Sequence, residues 1–113
     1  MSAPPPLAVT PEPPYYAVIF TSTRTEEDRG YNEMAQRMVE LGSSYHGFLG
    51  IESARSPDGL GVTVSYWRDE ASILAWKRDE AHQKAQHAGG KLWYADYRVR
   101  IAKVERAYGK APS

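Results

Sequence analysis

Apolar and polar positions alternate or recur along this chain in a way that divides it into six elements. From Tyr15 to Arg24 the run Tyr-Tyr-Ala-Val-Ile-Phe-Thr-Ser-Thr-Arg is dense in aromatic and β-branched residues, which suit a pleated, buried surface, and it predicts a first strand. Tyr16, Val18 and Phe20 fall on one face and Ala17 and Ile19 on the other. Both faces are apolar, so this strand is expected to be covered on both sides. Thr25 followed by Glu26, Glu27 and Asp28 offers a cap and acids at a helix start. The helix is delayed by Gly30; Tyr31, Met34, Ala35, Met38 and Leu41 then recur at three- and four-residue intervals, and Gly42 supplies a stop.

Residues Gly47 to Arg55 predict a second strand, and Ser56-Pro57-Asp58-Gly59 is a turn signal, because Pro presets φ and Gly accepts a positive one. A hairpin partner follows over Gly61 to Trp67, with Val62, Val64 and Tyr66 opposite Thr63, Ser65 and Trp67. Asp69 caps a second helix that begins at Glu70, carries Ile73, Leu74 and Trp76, and continues through a polar stretch to about Ala88 before Gly89-Gly90. The last strand spans Tyr94 to about Arg106, setting Tyr97, Val99 and Ile101 against Arg98, Arg100 and Ala102; Val104 breaks the parity and suggests a bulge.

The order strand, helix, strand, strand, helix, strand is the split βαβ pattern of an α+β ferredoxin-like domain: a four-stranded antiparallel sheet with both helices on one face. The other face is left uncovered, and because the first and last strands are apolar on both sides, a homodimer is expected to bury it. The predicted organisation is a flexible Pro-rich arm over 1–14, holding six of the eight prolines, a domain over 15–109 and a short tail over 110–113.

Composition narrows the function. Lys plus Arg and Asp plus Glu are both 14, so there is no net charge to draw the chain to nucleic acid or anionic lipid. With no cysteine there is no disulfide framework, thiolate metal site or thiol nucleophile. The N-terminus lacks the basic and apolar regions of a secretory signal, and no run approaches the length of a membrane span, so a cytoplasmic protein is expected. No Gly-rich phosphate loop follows a strand, and His82 and His87 stand five apart, so neither a nucleotide cofactor nor a metal site is indicated.

Tyr15-Tyr16-Ala17-Val18-Ile19-Phe20, Gly47-Phe48-Leu49-Gly50, Ser65-Tyr66-Trp67, Ala75-Trp76-Lys77, and Trp93-Tyr94 preceding Tyr97-Arg98-Val99 resemble, in this order, blocks of the antibiotic biosynthesis monooxygenase family, its small stand-alone members in particular. The resemblance implies a dimeric α/β barrel with a pocket between helices and sheet in each subunit. Two better understood branches share the fold that the resemblance implies, one of cofactorless oxygenases that convert phenolic polyketides to quinones and one of haem-degrading monooxygenases. Trp67 and Trp76 reproduce the nine-residue spacing of the haem-degrading branch. Its axial His falls at Gln86 here, with His87 one place late and His82 four early, and its first-strand Asn is replaced by the Thr21-Ser22-Thr23 region. Haem is therefore the less favoured cofactor, and none is the expectation.

Cofactorless oxygenation needs a base, a hydrogen-bonding clamp and a dry pocket around an electron-rich substrate. His82 is the best base, its imidazole titrating near neutrality, although it also reads as a solvated helix residue. Trp76 is its expected catalytic companion, and Phe20, Tyr66, Trp93, Tyr97 and Arg98 are the expected substrate-binding residues. For Trp76, Trp93 and Tyr97, core packing is the alternative. Arg98 and Arg100 read first as interface ion pairs, with Arg98 as a holder of a phenolate or superoxide-like anion second. His46 reads as a loop residue and His87 as a helix-end residue. The reading is thus an oxygenase or oxidase acting on a small aromatic or quinol, with a noncatalytic hydrophobic-ligand-binding or stress-response dimer as the alternative.

Overall fold

A computed structural model of the chain describes residues 6–26, 31–87 and 94–110, with the backbone alone of residues 32, 34 and 80–87. The elements are β1 (Tyr15–Arg24), α1 (Tyr31–Ser43), β2 (Phe48–Arg55), β3 (Leu60–Trp67), α2 (Glu70–His87) and β4 (Tyr94–Val104). Every strand pairing is antiparallel and the sheet order is β2-β3-β1-β4, the ferredoxin-like arrangement expected from the alternation.

Local chemistry explains the junctions. In the β2–β3 turn Gly59 adopts φ +96°, its N–H donates to Ser56 O at 3.0 Å, and Ser56 N–H donates to Leu60 O at 2.8 Å. Asp69 Oδ1 accepts the Ser72 N–H at 2.8 Å and so caps α2; that bond holds the Asp69 carboxyl below its ordinary value. After α1 the chain passes through Gly47 at φ +99°, whose carbonyl accepts the Arg68 N–H at 2.7 Å, tying the start of β2 to the end of β3.

Register assigns each side chain a face. Val18 pairs with Ser65 and Ile101, and Tyr16 with Trp67 and Lys103, so Tyr16, Val18, Phe20, Ser22, Ser65, Trp67, Tyr97, Val99 and Ile101 share one face. The helices pack there: Trp67, Ile73 and Val18 are at most 2% exposed and form the core, joined by Tyr16, Tyr45, Phe48 and Trp76. The opposite face carries Tyr15, Ala17, Ile19, Tyr66, Val64, Val62, Arg98, Arg100 and Ala102, and Leu60, Val62 and Arg98 on it are open to solvent.

Two expectations change. Val104 pairs with Tyr15 on the open face and merely continues the alternation of Arg98, Arg100 and Ala102; the irregularity lies at the other end of β4, where Thr23 pairs with Asp96 and Arg24 with Tyr94. Gly42 does not stop α1, which runs to Ser43. Its missing side chain makes room for the Trp76 indole, whose Nε1 would be 3.1 Å from a Cβ at that position. In the Pro-rich arm, Ala8 N–H donates to Glu52 Oε2 at 3.0 Å and Thr10 Oγ1 to Tyr15 OH at 2.9 Å, contacts that lie at one corner of the open face.

Candidate functional site

The helix-facing side of the sheet carries two clusters. The first is a tryptophan pole. Trp67 ends β3 with its Nε1 donating to Ser65 Oγ at 2.9 Å, and the Trp76 ring lies against it with centroids 5.0 Å apart. Phe48 meets Trp67 edge-on at 5.4 Å and Tyr45 closes the side at 6.5 Å. The Trp76 Nε1–H is buried and has no acceptor among the described residues. A buried donor without a partner carries a desolvation cost of roughly 1–3 kcal/mol.

The second is a tyrosine–arginine pole built at the far ends of β1, β2 and β4 and the start of α1. Phe20 stacks on Tyr97 at 5.6 Å and meets Tyr94 edge-on at 5.2 Å; Tyr31 closes on Tyr94 at 5.9 Å. The Arg24 guanidinium sits 3.5 Å above the Tyr31 ring. Arg55 donates to Ser22 Oγ at 3.0 Å and to Tyr31 OH at 3.5 Å, and the Tyr94 and Tyr31 hydroxyls are 3.5 Å apart. Burial first, and the Tyr31 hydrogen bond second, push the Tyr94 hydroxyl up in pKa, against smaller downward pulls from Arg55 and Arg24. Beside it on β4, Tyr97 and Ile101 are about half exposed, so the helix face retains an accessible apolar strip.

The expected site residues are thereby divided. Phe20 and Tyr97 come together in the second cluster and Trp76 belongs to the first, all on the helix face. Tyr66 and Arg98 do not join them, because both project from the open face. Tyr66 OH donates to Glu52 Oε1 at 2.6 Å, which pushes the Tyr66 hydroxyl up to about 12 and holds the Glu52 carboxyl below its ordinary value. Arg98, expected to need a buried partner, is exposed in the single chain and pairs with Asp96 at 2.7 Å. These two residues, with Thr21, Thr23 and Leu60, border a shallow open-face depression of about 100 Å³. The His82 side chain and all of Trp93 lie outside the described residues; the backbone places position 82 on α2, six residues beyond Trp76.

Sequence reading missed Tyr31, Tyr94, Arg55 and Ser22. For Tyr94 simple parity misleads, since counting back by twos from Arg98 puts it on the open face, and only the irregularity opposite Arg24 returns it to Phe20. For Arg55 the available signal was Gly61, a glycine inside a strand, which marks close approach of another group.

A model of the antibiotic biosynthesis monooxygenase family matches residues 14–88. The chain belongs to that family. An uncharacterised *Bacillus subtilis* protein, YqjZ, is 53% identical over 100 residues, covering 88% of each chain. The jasmonate monooxygenase of *Pyricularia oryzae* is 31% identical over 94 residues, 79% of this chain and 43% of that protein's length. Among solved structures, SnoaB, a cofactor-independent oxygenase from *Streptomyces nogalater*, superposes with a TM-score of 0.70 at 11% identity, covering 87% of this chain and 100% of that one. Rv0793 from *Mycobacterium tuberculosis* does so with a TM-score of 0.67 at 15% identity, covering 83% and 99%. At these identities the two structures establish the shared fold. The family's haem-degrading branch would need an iron ligand at Gln86, His87 or His82, whose side chains are outside the described residues, and no group of three His, Cys, Asp or Glu suited to a metal ion occurs among the described residues. Among the described residues, no helix is long and apolar enough to cross a membrane.

Proposed function

We propose that this family member is a cofactor-independent monooxygenase or oxidase acting on a small aromatic or quinol-type substrate that lies along the helix face between its tryptophan and tyrosine–arginine poles. The observation that carries the reading is the buried Trp76 Nε1–H, which lacks an acceptor among the described residues and stands in an aromatic wall. An indole donor beside planar rings suits a substrate that is itself planar and bears an oxygen. The likeness to SnoaB and to the jasmonate monooxygenase supports oxygen chemistry in the same fold.

In this scheme His82 takes a proton from a phenolic or benzylic position, and the resulting anion gives an electron to dioxygen. Recombination forms a carbon–oxygen bond; loss of water, carrying the second oxygen atom, leaves a carbonyl. The protein's part is to bind, orient and deprotonate the substrate and to keep bulk water away. Two copies pack through their open sheet faces, which covers Leu60, Val62 and the Arg98 strand and gives each subunit its own helix-face site.

Oxygen uptake with a panel of hydroquinones and anthrones tests the proposal. Wild-type protein is expected to consume oxygen with at least one of them, and His82→Ala to slow that reaction about a hundredfold or more, the usual contribution of a positioned base. Identical rates would remove His82 from the mechanism. Uptake with no member of the panel, together with a retained hydrophobic ligand in native mass spectrometry, would favour a noncatalytic ligand-binding dimer.

A further inference from the structure

Arg55 is built into the second pole in an unusual way. It leaves the edge strand β2, passes over β3 at Gly61, and reaches Ser22 on β1; these three residues are register partners across the sheet. The missing side chain at Gly61 makes room for the crossing, since a Cβ there would overlap the guanidinium group where it lies. The contacts that hold it, Gly59 O, Ser22 Oγ and Tyr31 OH, are all neutral, so among the described residues no carboxylate balances its charge. Among the described residues, Asp58 accepts the Leu60 N–H and the Ser56 hydroxyl, and Asp96 accepts from Arg98 and the Tyr97 N–H. The Arg24 guanidinium adds a second positive charge over Tyr31, and both arginines act on the Tyr94 hydroxyl. Among the described residues, this sets two guanidinium groups against an aromatic wall.

We propose that Arg55, supported by Arg24 and the Tyr31 and Tyr94 hydroxyls, is a specificity residue that docks the carboxylate of an aromatic ligand whose ring lies on Phe20 and Tyr97. This rests on the helix-face site proposed above and names its substrate class: aromatic acids ahead of neutral aromatics. A planar guanidinium offers paired donors to a carboxylate, and the tyrosine hydroxyls complete the hydrogen bonding at the rim. Arg55 positions the ligand and takes no part in the oxygen step.

Calorimetric titration of the full chain with 2-naphthoate and 2-naphthamide, two probes of the same shape that differ in charge, tests this without turnover. Wild type is expected to bind naphthoate about tenfold more tightly, the range of a charge-assisted hydrogen bond at a partly exposed site. Arg55→Gln is expected to abolish that preference by weakening naphthoate while leaving naphthamide within about twofold, since a neutral amide gains little from the charge. Equal affinity in wild type, a preference retained by Arg55→Gln, or binding of neither probe would overturn the proposal. Because Arg55 also braces the hairpin, amide chemical shifts of wild type give a second reading. Naphthoate should move Ser22, Gly61 and Tyr94 more than naphthamide does, and shifts confined to the open face would contradict the assignment. A naphthoate preference without oxygen uptake on any panel substrate would leave the anion site standing and remove the oxygenase reading.

Discussion

At Trp76 stability and function should separate. Its indole N–H has no acceptor among the described residues, so Trp76→Phe forfeits no described hydrogen bond while keeping most of the ring volume against Trp67. The substitution is expected to cost less than about 1.5 kcal/mol in denaturant unfolding, as near volume-conserving core exchanges do, while substrate affinity or turnover falls about tenfold with the lost donor. A large fall in stability with unchanged turnover would make Trp76 a packing residue. Gly47 behaves differently: at φ +99° and facing the Ser72 side chain, it has no room for a Cβ. Gly47→Ala should therefore lower stability by about 1–3 kcal/mol, measurable by thermal or urea unfolding. Some of this was legible in the residues themselves. Core packing was one of the two readings of Trp76, and its ring does lie against Trp67. The role of Gly42 was not legible, because a glycine at a helix end reads as a stop until the facing indole is known.

Among the elements, strands were easier to read than faces. Alternation located β1 to the residue and correctly set Tyr97, Val99 and Ile101 against Arg98, Arg100 and Ala102. It did not say which parity the helices would choose on β3, so Tyr66 was grouped with Phe20 although the register puts them on opposite faces. The contacts of the arm were not legible for a related reason. The one at Ala8 depends on Glu52, the lone acid of β2, which looks like ordinary edge polarity until Tyr66 and Ala8 are seen to donate to it. That contact has a pH window. Glu52 is held below its ordinary value of 4.5, so its stabilisation is present above pH 4.5 and is lost as pH falls through the lower folded value. Tyr66 is raised from 10.0 to about 12, so the hydroxyl's share is present below pH 10 and lost as pH rises toward 12. The Ala8 amide resonance should hold its position across neutral pH and move on acidification below 4.5. In Glu52→Gln that acid transition should vanish; its persistence would place the switch elsewhere.

For the whole molecule, the open sheet face is the surface through which the proposed dimer forms. Leu60 and Val62 stay exposed on it, and the shallow depression between Thr21, Thr23, Asp96 and Arg98 opens on the same side. If two copies meet there, sedimentation should give a dimer, and Val62→Glu, which sets a charge on that face, should shift it to monomer while leaving the Trp67 core intact; a monomeric wild type would contradict that packing. In the proposed scheme the two faces have separate tasks, one for association and one, with its aromatic wall and arginines, for chemistry. That chemistry is tested most directly by a single turnover of an anthrone under ¹⁸O₂ with a metal chelator present, read by mass spectrometry of the product. The proposed mechanism predicts one labelled oxygen atom in a new carbonyl, formed at an undiminished rate by chelator-treated protein. An unlabelled product, or turnover that begins only when iron or flavin is added, would contradict it.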